Sequence, residues 1–165
     1  HTYRSEGFVE VLSIPSKLYA DFVQVNNLYN DIERLGESWQ FLENLPLLNE
    51  AISHLTLNKL VKHIVLGDYP AKHRFDAHDN CLYLIKSGKV ELRTETRFET
   101  IEAGDFFGEL CMFGDDQCAP VIQTSEASEV YRLPIDLLKN IPILNWKLFE
   151  RHQKRIHFFS SEQAG

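Results

Sequence analysis

The sequence predicts an α+β fold: a sandwich or roll of short antiparallel strands with helices before and after it. Three observations predict this. Apolar residues recur at helical spacing through the first third of the chain. From Val65 to about Pro134, short β-rich runs alternate with Gly and Asx punctuation. A helical pattern then returns. With 165 residues, 44% of them hydrophobic and 25% charged, the chain can build one full domain and part of a neighbour.

The elements follow in order. Val9, Val11 and Leu12 are strand-like, Pro15 ends the strand, and Ser16 is placed to cap a helix. Phe22, Val25, Leu28, Tyr29, Ile32 and Leu35 then recur at spacings of three and four, one amphipathic face. The helical pattern continues past Gly36 until Pro46 breaks it, and Leu55, Leu57, Leu60, Val61 and Ile64 form a further short face. CLYLIKSGKVELRT reads as a hairpin turning at Ser87-Gly88, where glycine supplies a positive φ. FETI, APVIQT and SEVYRLP are further strand candidates, and the last helix is interrupted at Pro142. Trp146, Leu148, Phe149, Ile156, Phe158 and Phe159 make that final segment unusually apolar; it either folds over the strands or meets a second chain.

Composition excludes several classes. A net charge of −7 with scattered basic residues argues against a nucleic-acid surface; the one modest basic cluster is Arg151, Lys154 and Arg155. Apolar runs fall short of the roughly 20 residues that span a bilayer, so no membrane insertion is expected. Cys81, Cys111 and Cys118 lack CxxC spacing and read as free thiols of a cytoplasmic protein. The seven histidines lack metal-ligand spacing and read as solvated surface residues, so no metal is assigned. No nucleophile–base pattern or phosphate loop stands out, and the chain is read as a non-enzyme.

The head and tail of the chain resemble each other. Glu10, Val11, Pro15, Leu18 and Asn26 match Glu129, Val130, Pro134, Leu137 and Asn145 at a constant offset. This self-similarity divides the chain into residues 1–37, the end of a preceding domain copy, and residues 38–165, a second copy with its C-terminal helices.

The segment GDFFGELCMFGDDQCAPV carries most of the functional signal. Together FLENLPLL, YLIKSGKVEL, IEAGDFFGEL and the strand-Pro-helix exit resemble the cyclic-nucleotide-binding domain family, in order and spacing, from about Trp39 to Phe159. The resemblance implies an antiparallel β-roll, double-stranded and jelly-roll-like, flanked by N- and C-terminal helices. It implies a regulatory, signal-sensing role, with ligand on the stretch that opens at Phe107, Gly108 and Glu109. Gly108 lets a backbone approach a ligand. The amides of Glu109, Leu110 and Cys111 can bond an anion at a helical start, and the Glu109 carboxylate can accept a ribose hydroxyl.

One component of the family pattern is missing. Nine residues after the glutamate, where nucleotide-binding members place the arginine that clamps the phosphate, stands Cys118, followed by the expected small residue, Ala119. A charge-assisted bond to phosphate is worth about 1.5–3 kcal/mol, so its loss weakens binding by about one to two powers of ten. Asp115 and Asp116 repel an anion further, and Pro120 departs from the usual small residue. Three readings stay open: weak or unusual binding of cAMP or cGMP, a different and less anionic ligand, or an empty pocket kept for homodimerisation or coupling to an adjacent domain. A transcription regulator's sensor half would need a helix-turn-helix beyond residue 165, so the chain is expected to be part of something longer.

Overall fold

The computed structural model describes residues 12–49, 52–76, 78–113 and 120–160, with only the backbone at Cys111. The chain divides into two compact units, residues 1–36 and 37–165. The described part of the first holds helix α1 (Ser16–Val25) and the start of α2 (Tyr29–Asn44). Pro15, not Ser16, occupies the N-cap of α1, and no side chain caps it; proline's fixed φ suits a helix entrance but its ring offers no acceptor. The strand expected at Val9 and Val11 lies outside the described residues. Leu18, Phe22, Val25, Tyr29, Ile32 and Leu35 are exposed.

In the second unit, the end of α2 is followed by α3 (His54–Val61), whose N-cap Ser53 accepts the Thr56 amide at 3.3 Å. The Trp39 indole donates to Asn58 at 2.9 Å and stacks on His54, which ties α2 to α3. Among the described residues eight strands follow: β1 (Val65–Tyr69), β2 (Arg74–Phe75), β3 (Cys81–Ser87), β4 (Lys89–Arg93), β5 (Phe98–Glu102), β6 (Phe106–Phe107), β7 (Val121–Thr124) and β8 (Ser128–Pro134). A four-residue helix, α4 (Leu110–Phe113), interrupts them, and a 3-10 turn (Ile135–Leu137) leads to α5 (Pro142–Ser160).

The strands form two antiparallel four-stranded sheets, ordered β1-β8-β3-β6 and β2-β7-β4-β5. This is the expected antiparallel roll with flanking helices. One detail differs: β3 and β4 do not pair across Ser87-Gly88. Gly88, at φ +88°, turns the chain from one sheet into the other, and a Cβ there would run into the Ser128 side chain. The hairpin is β4–β5 instead, closed where the Thr94 amide donates to the Arg97 carbonyl at 2.8 Å.

The uninterrupted apolar run of β3 has a direct cause, because both faces of its sheet are covered. Leu82 and Leu84 point to the helices, joining Leu42, Leu60, Leu133 and Leu148 in one cluster. Tyr83 and Ile85 point between the sheets, joining Val90, Leu92, Phe107, Ile122 and Val130. Helix α5 reaches both layers with one stripe: Leu144, Leu148, His152, Arg155 and Phe159 are all buried at helical spacing. His152 therefore departs from the solvated reading, packing its ring 5.0 Å from Phe113. The Lys147 ammonium binds the carbonyls of Pro46, Leu47 and Asn49, each at 3.4 Å.

Candidate functional site

The site begins where β6 ends. Phe106 and Phe107 are buried anchors, one toward the helices and one between the sheets. Gly108 follows at φ +98°, in a left-handed conformation that only glycine adopts freely. A Cβ there would strike the Cys81 carbonyl oxygen, so the residue is fixed by close approach to β3 as well as by its backbone. The turn delivers Glu109 inward, where it is fully buried, while the amide of Met112 bonds the Glu109 carbonyl at 2.9 Å to begin α4. Leu110 is buried beside it.

A buried carboxylate needs a partner, and Glu109 takes one from α5. The Arg155 guanidinium lies 2.8 Å from both Glu109 oxygens, and it is itself 2% exposed. Its remaining donors reach the Phe106 carbonyl at 2.9 Å and Glu99 of β5 at 3.0 Å, and its plane lies over the Phe106 ring. One turn earlier, Arg151 pairs with Asp105 at 2.5 Å and Glu99 at 3.2 Å. Burial works against the Arg155 charge, yet the carboxylates of Glu109 and Glu99 hold it above the ordinary guanidinium range. Two arginines and three carboxylates thus fasten α5 across the start of the FGE turn. Glu99, Arg151, Lys154, Arg155 and Phe158 line a cavity of about 270 Å³ along this seam.

The roll interior next to Phe107 is packed with rings. Tyr83 stacks on Phe107 at 4.8 Å, Phe75 meets both edge-on, and Tyr69 and His73 extend the group. The Tyr83 hydroxyl donates to Asp79, whose other oxygen accepts the Cys81 amide at 3.2 Å. Burial first, and then the Asp79 carboxylate, push the Tyr83 phenol well above its ordinary range. The same two influences raise the Cys81 thiol, a free and partly buried cysteine.

Of the residues read from sequence, the structure brings Phe107, Gly108, Glu109 and Leu110 together; Cys118 and Ala119, with the Cys111 side chain, lie outside the described residues. Sequence reasoning missed Arg155 and Arg151, which it read only as a basic cluster. The signal was present: Arg155 falls in the stripe of Leu144, Leu148 and Phe159, and a lone arginine in an apolar stripe implies a buried acid opposite. Among the described residues no group of acids, histidines and cysteines is arranged to hold a metal. Nor is any helix among them long and apolar enough to cross a membrane.

Comparison with known proteins agrees with this geometry. Residues 73–142 match the model of the family described as the cyclic nucleotide-binding domain. That stretch, set in a β-roll with flanking helices, matches the family that the resemblance in the sequence implied. Among solved structures, the regulatory domain of Toxoplasma gondii PKA with cAMP matches with a TM-score of 0.65 at 14% identity, over 74% of this chain and 51% of that one. The regulatory subunit of a cAMP-independent protein kinase A from Trypanosoma cruzi, bound to guanosine, matches at 0.61 and 17% identity, over 84% and 54%. The sensor domain of the transcriptional regulator DNR from Pseudomonas aeruginosa matches at 0.58 and 19%, over 79% and 97%. At these identities the likeness is one of fold. The chain spans about half the length of the two kinase regulatory chains. No curated protein matches it.

Proposed function

We propose that this domain is a non-catalytic regulatory module whose phosphate-binding half is disarmed and whose state is set by the contact of α5 with the FGE turn. The observation that carries the reading is the fully buried Glu109 held by Arg155. A ligand hydroxyl reaches this carboxylate only when α5 moves, so the cost of opening α5 is subtracted from any affinity. Nine residues after Glu109 in the sequence, Cys118 offers no charge for a phosphate, and Asp115 and Asp116 oppose one. Coupling then runs in both directions, since whatever displaces α5 exposes Glu109 and whatever engages Glu109 displaces α5.

A second reading rests on one comparison. The Trypanosoma cruzi regulatory subunit is described as bound to guanosine, a nucleoside without phosphate. A turn that keeps a carboxylate and lacks a cation suits a ribose without a phosphate.

Calorimetric titration of the chain and of Cys118→Arg with cAMP, cGMP, adenosine and guanosine separates these readings. Silence of the wild type toward both cyclic nucleotides, with binding gained in Cys118→Arg, is the expected result. Micromolar or tighter binding of cAMP or cGMP by the wild type overturns the first reading. Nucleoside binding by the wild type, without cyclic-nucleotide binding, establishes the second.

A further inference from the structure

The exposed apolar face of residues 12–36 is the surface that has no counterpart in the site. Leu12, Ile14, Tyr19, Val25 and Tyr29 are 50% to 86% exposed. The internal repeat aligns them with Tyr131, Leu133, Leu138, Leu144 and Leu148. Those five are at most 2% exposed, and all belong to the cluster that packs the exit of the roll against its helices. The prolines at the start of each exit agree in backbone as well: Pro15 has φ −56° and ψ 134°, Pro134 has φ −58° and ψ 127°. The helical break differs, falling at Asn26–Leu28 in the first segment and at Leu138–Ile141 in the second. The shared property is thus the pattern of faces, not the whole backbone path.

We infer that residues 12–36 are the exit segment of another β-roll, encoded upstream of His1 in the same polypeptide, and that this roll covers their apolar face. Apolar side chains of this size left in water forgo the stabilisation that burial gives, and the repeat states what such side chains pack against. The strand position explains why the roll must be a preceding one. In residues 37–165, β8 is central, bonded to β1 on one side and β3 on the other. Both neighbours precede β8 in sequence. The repeat sets residues 12–36 at the position of the exit from β8, so the roll that covers them stands before them in the chain.

The test reads accessibility and is independent of nucleotide. Val25→Cys and Tyr29→Cys are introduced into the 165-residue chain and into a chain extended N-terminally by its natural upstream sequence. Thiol labelling is followed peptide by peptide in a mass spectrometer. Labelling about tenfold or more slower in the extended chain is expected, as for a side chain sealed in a core. Equal rates in the two chains overturn the inference, as does a natural polypeptide that begins near His1. Labelling in the 165-residue chain that slows with protein concentration, together with a dimer by light scattering, overturns it in favour of a second copy.

Discussion

Arg155 and Glu109 stand 46 residues apart in sequence and 2.8 Å apart in the fold, each shielded from solvent by the other's element. Neither charge has a substitute partner of equal burial: Glu99, which also meets Arg155, keeps a side chain 23% exposed. Breaking a buried pair by removing one member leaves the other charge stranded. Arg155→Met and Glu109→Gln are each expected to cost about 3–5 kcal/mol in urea unfolding. The double variant Glu109→Leu/Arg155→Met is expected to regain most of that loss. If the singles and the double are equally destabilised, packing rather than charge fastens α5.

Gly108 sits at φ +98° against the Cys81 carbonyl. Gly108→Ala adds both backbone strain and a collision that β3 cannot relieve without breaking its ladder. A loss of at least about 2 kcal/mol is expected. A melting temperature unchanged from wild type would show that the turn relaxes freely.

The Tyr83 phenol is held protonated above its ordinary value near 10 by burial and then by Asp79. A raised folded value means that this contribution to stability is whole below the unfolded value and is lost as pH rises through the folded one. Spectrophotometric titration is expected to show a tyrosine transition displaced upward in pH that disappears in Tyr83→Phe. The alkaline limb of the stability profile is expected to flatten in the same variant. Identical alkaline profiles for wild type and Tyr83→Phe would remove Tyr83 from this role.

Leu148 and Trp146 lie two residues apart on α5, one sealed and one 66% exposed. Leu148→Ala is expected to cost about 2–5 kcal/mol by thermal or urea unfolding. Trp146→Ala is expected to stay within about 0.5 kcal/mol of wild type. A large loss at Trp146 would mean that its face is covered in solution.

What the sequence carries well is what depends on neighbours along the chain. Punctuation between short β-rich runs marked the roll, and the positive φ at Gly88 followed from the need for a turn. The partner of β3 was not legible there, since a glycine corner has one local signature whether it closes a hairpin or passes between sheets. Pairing is a property of distant segments, and β8, which bonds β3, begins 40 residues after Gly88. The candidate site divides the same way. Gly108 and Glu109 announce themselves by chemistry and order, whereas Arg155 acquires its meaning only when α5 crosses β5 and β6. His152 was misread for a related cause: its type suggests water, and only its place in the stripe of α5 reveals burial.

Helix α5 is pinned along its length, by Lys147 to the carbonyls of Pro46, Leu47 and Asn49, by Arg151 to Asp105 and Glu99, and by Arg155 to the FGE turn. The outer two pins are eight residues apart, about 12 Å along the helix axis. They are of unequal kind, since Lys147 holds neutral carbonyls at long range and Arg155 holds buried carboxylates. Releasing Arg155 alone leaves Lys147 and Arg151 seated, so the part of the rod before Arg151 keeps its place and only the turns beyond it are loosened. The loss of a single ion pair is thereby confined to the last turns of the helix, where the Arg97 guanidinium still holds the Phe158 carbonyl at 2.7 Å.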